Sequence, residues 1–413
     1  MRKLLALGLI PLGWLAACGG GGGYGGGGGG GGGQMIATPG APNVETLTVD
    51  AGPPALVVPA INIAYVSVQV CQPGTSTCQT IDHIQVDTGS IGLRLISSVL
   101  TIALPAETSA GTPLAECFQF VANTTIWGPL AVADIKLPIS GESAANVGVQ
   151  IIADTNSPYS GHTPGDCTGA LADNVALFGA NGILGVGPFI DDCNSVGPCP
   201  IPSGPQGVIY YSCPSPSTCG DTAAALAQQV PNPATLFADN NGVIIELPAI
   251  GSAGCSNASC SGSLVFGIGT QTNNGLGTAK VLPADPSSGY ITATYKGVAY
   301  VNGYLDAGSN GNFFTDGALT QCVSPSPNVG FYCQNPATSE MATLQGSSAT
   351  TLTGSFSVGD ADTIPASYTA FPDLAGTNAD PKGFDLGLSF FYGHNIFTAI
   401  EMSSAAGAPY FAY

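Results

Sequence analysis

The chain has 413 residues, 44% hydrophobic and only 8% charged, with seven Lys and Arg against 26 Asp and Glu for a formal net charge of −19. So acidic a chain is repelled by nucleic-acid phosphates and by anionic lipid heads, which excludes nucleic acid as a partner and disfavours lipid binding through the folded body. Its surface must be mostly Ser, Thr, Asn and Gly, and with few ion pairs it has little to lose when carboxylates protonate, which suits an acidic setting.

The first residues are not part of a fold. Arg2 and Lys3 precede a short apolar stretch, Leu4 to Trp14, interrupted by Gly8, Pro11 and Gly13. That is too short to span a bilayer and reads as a secretory signal. Its end, Leu15-Ala16-Ala17-Cys18, resembles the bacterial lipobox. The resemblance implies a signal peptide over residues 1–17 and a lipid on Cys18. The protein would then be exported and anchored to the cell envelope, on the periplasmic or cell-surface side, with the membrane as a partner through that lipid. Residues 19–33 are Gly throughout except Tyr24. Such a run cannot bury apolar surface, so residues 18–45 are expected to be a flexible tether, the Gly run reaching about 20 Å. No later run is long and apolar enough to cross a bilayer.

The 13 cysteines become twelve if Cys18 is acylated, an even number suited to an oxidising compartment. Most fall in close couples: Cys71/Cys78, Cys193/Cys199, Cys213/Cys219, Cys255/Cys260 and Cys322/Cys333. Cys117 and Cys167 pair by elimination. Metal binding is the alternative, but no Cys-x-x-Cys is present and His83, His162 and His394 lie far from the couples. Local disulfides are favoured, and neither metal nor cofactor is expected.

Along the chain, short β-branched runs alternate with Gly, Pro, Asn and Ser clusters: "INIAYVSVQV", "IDHIQV", "LAVADIKLPI", "VGVQIIAD", "GVIIELP", "YITATY", "VAYVNGYL". This spacing argues for an all-β body. Thr222 to Val230 is the best helix candidate, with Asp221 as a possible N-cap and Pro231 beyond its end. Asp191 to Cys219, rich in Cys and Pro, is expected to be loop or a surface excursion.

One pattern occurs twice. Val86 to Gly92 and Leu305 to Gly311 both read apolar-Asp-x-Gly-Ser-x-Gly. An Asp closing a β-run and followed by x-Gly sits in a tight turn, and Ser90 or Ser309 can fix its carboxylate. If the turns meet across a pseudo-twofold axis, Asp87 and Asp306 come into contact and share one proton. The ionised member can activate a water and the protonated one can polarise a carbonyl, which is hydrolysis without metal or cofactor. His83, two strand periods before Asp87, is expected to be a packed or surface histidine.

With these turns the sequence resembles the pepsin-like aspartic peptidases over about residues 60–405. "NGILGVG" supplies Ile183-Leu184-Gly185 as a packing element for the first turn, and "GFDLGLSFF" supplies Leu386-Gly387, with Phe390, for the second. "GSLVFGIGTQTN" is similar to the family's interlobe strand. The resemblance implies a bilobal fold, an N-terminal lobe over 46–270, a C-terminal lobe over 271–413, and a cleft for an extended peptide. Asp87 and Asp306 would be catalytic, with Thr88, Gly89, Ser90, Ala307, Gly308 and Ser309 supporting them. The implied protein is a monomeric, membrane-tethered endopeptidase. Three departures stand out. Ala307 replaces the family's Thr or Ser. Asp385 takes an apolar position. The flap hairpin, expected from about Cys117 to Leu137, offers Phe120 and Trp127 in place of Tyr. These favour the alternative, an inactive surface lipoprotein binding peptide or protein in the same cleft. A two-carboxylate glycosidase would need its acids in unlike environments.

Overall fold

The computed structural model describes residues 36–120, 123–193, 208–256 and 260–413. Cys18, the Gly run of 19–33 and Cys199 lie outside the described residues. The body is all-β, with two short α-helices among the described residues, Val175–Phe178 and Leu388–Phe391. Alternation explains the strands. In Ala64–Cys71, Val66, Val68 and Val70 are buried while Ser67 and Gln69 stay half-buried. This strand pairs with Cys78–Asp87 in a hairpin stapled by the Cys71–Cys78 disulfide.

A three-strand unit occurs twice. In the first, Cys78–Asp87 leads through the turn into Ile91–Ile96, and Gly182–Val186 lies parallel to the one and antiparallel to the other. In the second, Val298–Leu305 leads into Asn312–Phe313, with Gly383–Leu386 again parallel to the first and antiparallel to the second. Each inserted strand carries a glycine at or just past its end, Gly185 and Gly387, because there is no room for more. A Cβ on Gly185 would fall 2.6 Å from the Ile91 backbone, and one on Gly387 2.1 Å from the Gly311 carbonyl oxygen.

A six-stranded antiparallel sheet joins the two halves. Its order is Val44–Val49, Gly262–Phe266, Gly242–Glu246, Asn395–Ala399, Tyr410–Ala412 and Val281–Pro283. Three strands precede residue 271 and three follow it. One apolar cluster runs beneath both units, containing Val86 and Leu184 from the first and Leu305, Ala307, Leu386 and Phe390 from the second. The two turns therefore stand on a shared core.

Two expectations need correction. Thr222 to Val230 is not a helix: only Leu226–Gln228 forms a 3-10 turn. Asp221 caps nothing, because it ends the strand Thr218–Asp221 opposite Tyr211, and the Thr222 amide continues that ladder to the Tyr210 carbonyl. The excursion after Asp191 also carries strand. Val208–Ser215 adds to the edge of Thr112–Gln119 and buries Tyr210 and Tyr211.

Five disulfides are described: Cys71–Cys78, Cys117–Cys167, Cys213–Cys219, Cys255–Cys260 and Cys322–Cys333. Cys193 is disulfide-bonded as well. Bonds of this number fit an oxidising, extracytoplasmic compartment. No helix among the described residues is long and apolar enough to cross a membrane.

Candidate active site

Each Asp closes its strand and is held by its own turn. The Gly89 amide donates to Asp87 Oδ1 at 2.7 Å, and the Ser90 hydroxyl donates to Asp87 Oδ2. The second turn repeats this, with Gly308 N donating to Asp306 Oδ1 at 2.7 Å and Ser309 Oγ to Asp306 Oδ2 at 2.9 Å. The inserted strand and the helix that follows it brace the second turn from behind, since the Asp306 amide donates to the Leu386 carbonyl at 3.0 Å and the Leu388 amide to the Ser309 carbonyl at 2.7 Å.

The turns face each other. A Cβ on Gly89 would fall 2.8 Å from both Asp306 carboxyl oxygens, and one on Gly308 would fall 2.4 Å from Asp87 Oδ1. Each glycine is thus required by the opposite carboxyl. The Ala307 amide donates to Thr88 Oγ1 at 2.9 Å, and that hydroxyl donates to the Leu305 carbonyl at 3.2 Å. Ala307 offers no hydroxyl in return, so this bridge is one-sided. Gln85, a residue without a clear signal in the sequence, supplies a second tie by donating from Nε2 to the Gly308 carbonyl at 2.8 Å.

Asp87 is 1% exposed and Asp306 is fully buried. Burial pushes the Asp306 carboxyl well above the usual range, and the Asp87 and Asp385 charges push it further. Burial raises Asp87 too, but hydrogen bonds from Asp306, Ser90 and the Gly89 amide oppose that rise. Two carboxyls in hydrogen-bond contact cannot both ionise in a low dielectric, so they share a proton. Of the two, Asp306 is the more strongly raised.

The remaining predicted residues fall elsewhere. Thr112–Gln119 and Thr124–Lys136 form the expected hairpin, with Cys117 opposite Trp127. Trp127 is buried against Tyr159 and Tyr211, and Phe120 against Phe118, so neither ring is free to close over a ligand. His83 lies between Asp50 and Asp82, at 3.4 and 3.2 Å, away from the pair. Cys322, Cys333 and Asp362 are the one group of potential metal ligands close together among the described residues, but both cysteines are committed to a disulfide.

A second buried polar cluster was not anticipated. Arg94, seven residues after Asp87, is fully buried and donates to Glu116 Oε2 at 2.7 Å, Gln150 Oε1 at 2.7 Å and Asp192 Oδ2 at 2.9 Å. Its guanidinium also lies 4.0 Å from the Phe118 ring centroid. Tyr210 donates to Asp192 Oδ1 at 2.7 Å. The cluster locks the strand leaving the first turn to the hairpin and to the added strands. Nothing in the sequence singled out Arg94, the only arginine besides Arg2.

A family profile described as "Protein of unknown function (DUF3443)" matches residues 39–413. The chain belongs to the DUF3443 family. No curated protein matches the sequence. For this DUF3443 member, the match runs through both Asp turns, both inserted strands and the six-stranded sheet, so the paired carboxyls lie within the family's common region.

Proposed function

We propose that this DUF3443 protein is an extracytoplasmic aspartic endopeptidase of pepsin-like, two-lobed design, tethered to the cell envelope through Cys18. The observation carrying the reading is the pair of buried carboxyls, each held by its own Gly amide and Ser hydroxyl and each filling the space over the other's glycine. In the reaction, the Asp87 carboxylate takes a proton from a water as its oxygen bonds to the peptide carbonyl carbon. The Asp306 proton passes to the carbonyl oxygen. Collapse of the resulting gem-diol breaks the C–N bond, the amine leaves with a proton from Asp87, and the diol returns a proton to Asp306.

A second reading is favoured by Ala307, by Asp385 and by the hairpin's lack of a Tyr: the groove binds peptide or protein without cleaving it. Proteolysis of an unfolded protein between about pH 3 and 7 separates the two readings. The enzyme reading expects cleavage on the acid side that is abolished in both Asp87→Asn and Asp306→Asn, and unchanged or raised in Ala307→Thr. Wild-type protein that cleaves nothing at any pH, together with an equally inert Ala307→Thr, would leave the binding reading.

A further inference from the structure

The two turns are alike in their own hydrogen bonds but differ in what stands behind them. In the first unit Ile183 pairs with Gln85, one step before Leu184 and Val86. In the second, Asp385 pairs with Tyr304, one step before Leu386 and Leu305. Equivalent positions thus hold an apolar side chain and a carboxyl. Asp385 is 2% exposed and lies opposite Phe313 on its other flank. It is hydrogen-bonded to the Ser309 side chain, and that same hydroxyl donates to Asp306 Oδ2 at 2.9 Å. Asp385 Oδ1 has no hydrogen-bond partner among the described residues. A single hydroxyl links two buried carboxyls.

The titratable groups facing Asp385 are all acids. Asp306 faces it from the turn, Asp87 from across the pair, and the buried Tyr304 phenol from the neighbouring strand. We propose that Asp385 is a positioning residue that holds the shared proton on Asp306 as the medium approaches neutrality, so that the pair keeps its one-proton state over a wider pH range. The proposal rests on the hydrolytic reading above.

Ser309 has one proton to donate. While Asp385 is neutral, its O–H donates to Ser309 Oγ and leaves the Ser309 proton directed at Asp306. Once ionised, Asp385 can only accept, so it competes for that proton and adds a negative charge in a region of low dielectric. Both changes disfavour the Asp306 carboxylate and keep its proton in place. Burial raises Asp385 well above the usual carboxylate range, so this second charge arises late in the titration, and it in turn is among the charges that raise Asp306. Asp87, with Ile183 at the equivalent position, has no such third acid behind it.

Two variants test this. Asp385→Asn keeps the size and a donor but cannot ionise, and Asp385→Ile copies the first unit. Cleavage of unfolded protein, measured from acid to neutral pH, should show the neutral-to-acid activity ratio falling roughly tenfold in both, the weight of one close like-charge contact. Carboxyl-carbon NMR titration reads the same proton without needing turnover. The Asp306 resonance, assigned by its loss in Asp306→Asn, should titrate at lower pH in both variants than in the wild type. An Asp306 midpoint that stays put in both variants overturns the proposal. A wild type that cleaves nothing while that midpoint moves as expected refutes the hydrolytic reading and still supports the proton-holding role of Asp385.

Discussion

Replacing Thr88 by Val removes one oxygen from the middle of the site and leaves the side-chain shape almost unchanged. Thr88 is buried, and its hydroxyl accepts from the Ala307 amide at 2.9 Å while donating to the Leu305 carbonyl at 3.2 Å. In Thr88→Val the amide is left buried without a partner, which costs about 1–3 kcal/mol, and the carbonyl loses a bond worth about 0.5–1.5 kcal/mol. The expected loss is therefore roughly 2–4 kcal/mol, a large share of the ~5–15 kcal/mol that holds a typical domain folded. Urea unfolding is the assay. Trp127 is the only tryptophan besides Trp14, and its burial against Tyr159 and Tyr211 makes its emission a reporter of unfolding at the hairpin. A loss below about 0.5 kcal/mol would refute the reasoning, because it would mean that the amide has another partner and that the one-sided bridge carries no load.

Other expectations follow from the same geometry. Gly308→Ala drives a Cβ to within 2.4 Å of Asp87 Oδ1 and should separate the carboxyls, destabilising the protein by about 1–3 kcal/mol and eliminating any cleavage. Arg94→Met leaves Glu116 and Asp192 without their counter-charge, so chemical denaturation should show a loss of about 3–5 kcal/mol. Stability should also fall from acid toward neutral pH. Burial and neighbouring acids raise Asp306, burial raises Asp385, and burial raises Asp373 to about 6. Each then binds its proton more tightly when folded, so its contribution is complete below the unfolded value and drains away as pH rises toward the folded one. Melting temperatures across pH should show Asp306→Asn and Asp385→Asn matching the wild type in acid and exceeding it near neutrality.

What could be read from the sequence, and what could not, divides along the range of the contacts involved. The Asp turns were legible because their chemistry is written locally: a strand ends, a glycine leaves room for the facing carboxyl, and a serine three positions on holds the acid. The alternation in Ala64–Cys71 was legible for the same reason, since period-two burial needs only neighbours. Thr222 to Val230 misled because Ala, Leu and Gln favour helix, yet the ladder begun by Tyr211 and Asp221 claims the backbone first. Arg94 was silent, since its enclosure depends on Glu116 and Asp192, 22 and 98 residues away. Asp385 lies between these cases. The sequence marked it as an acid in an apolar position, and burying a carboxyl without compensation is costly. Only the contact with Ser309, formed when the inserted strand slides in beside Tyr304, shows where part of that cost is met.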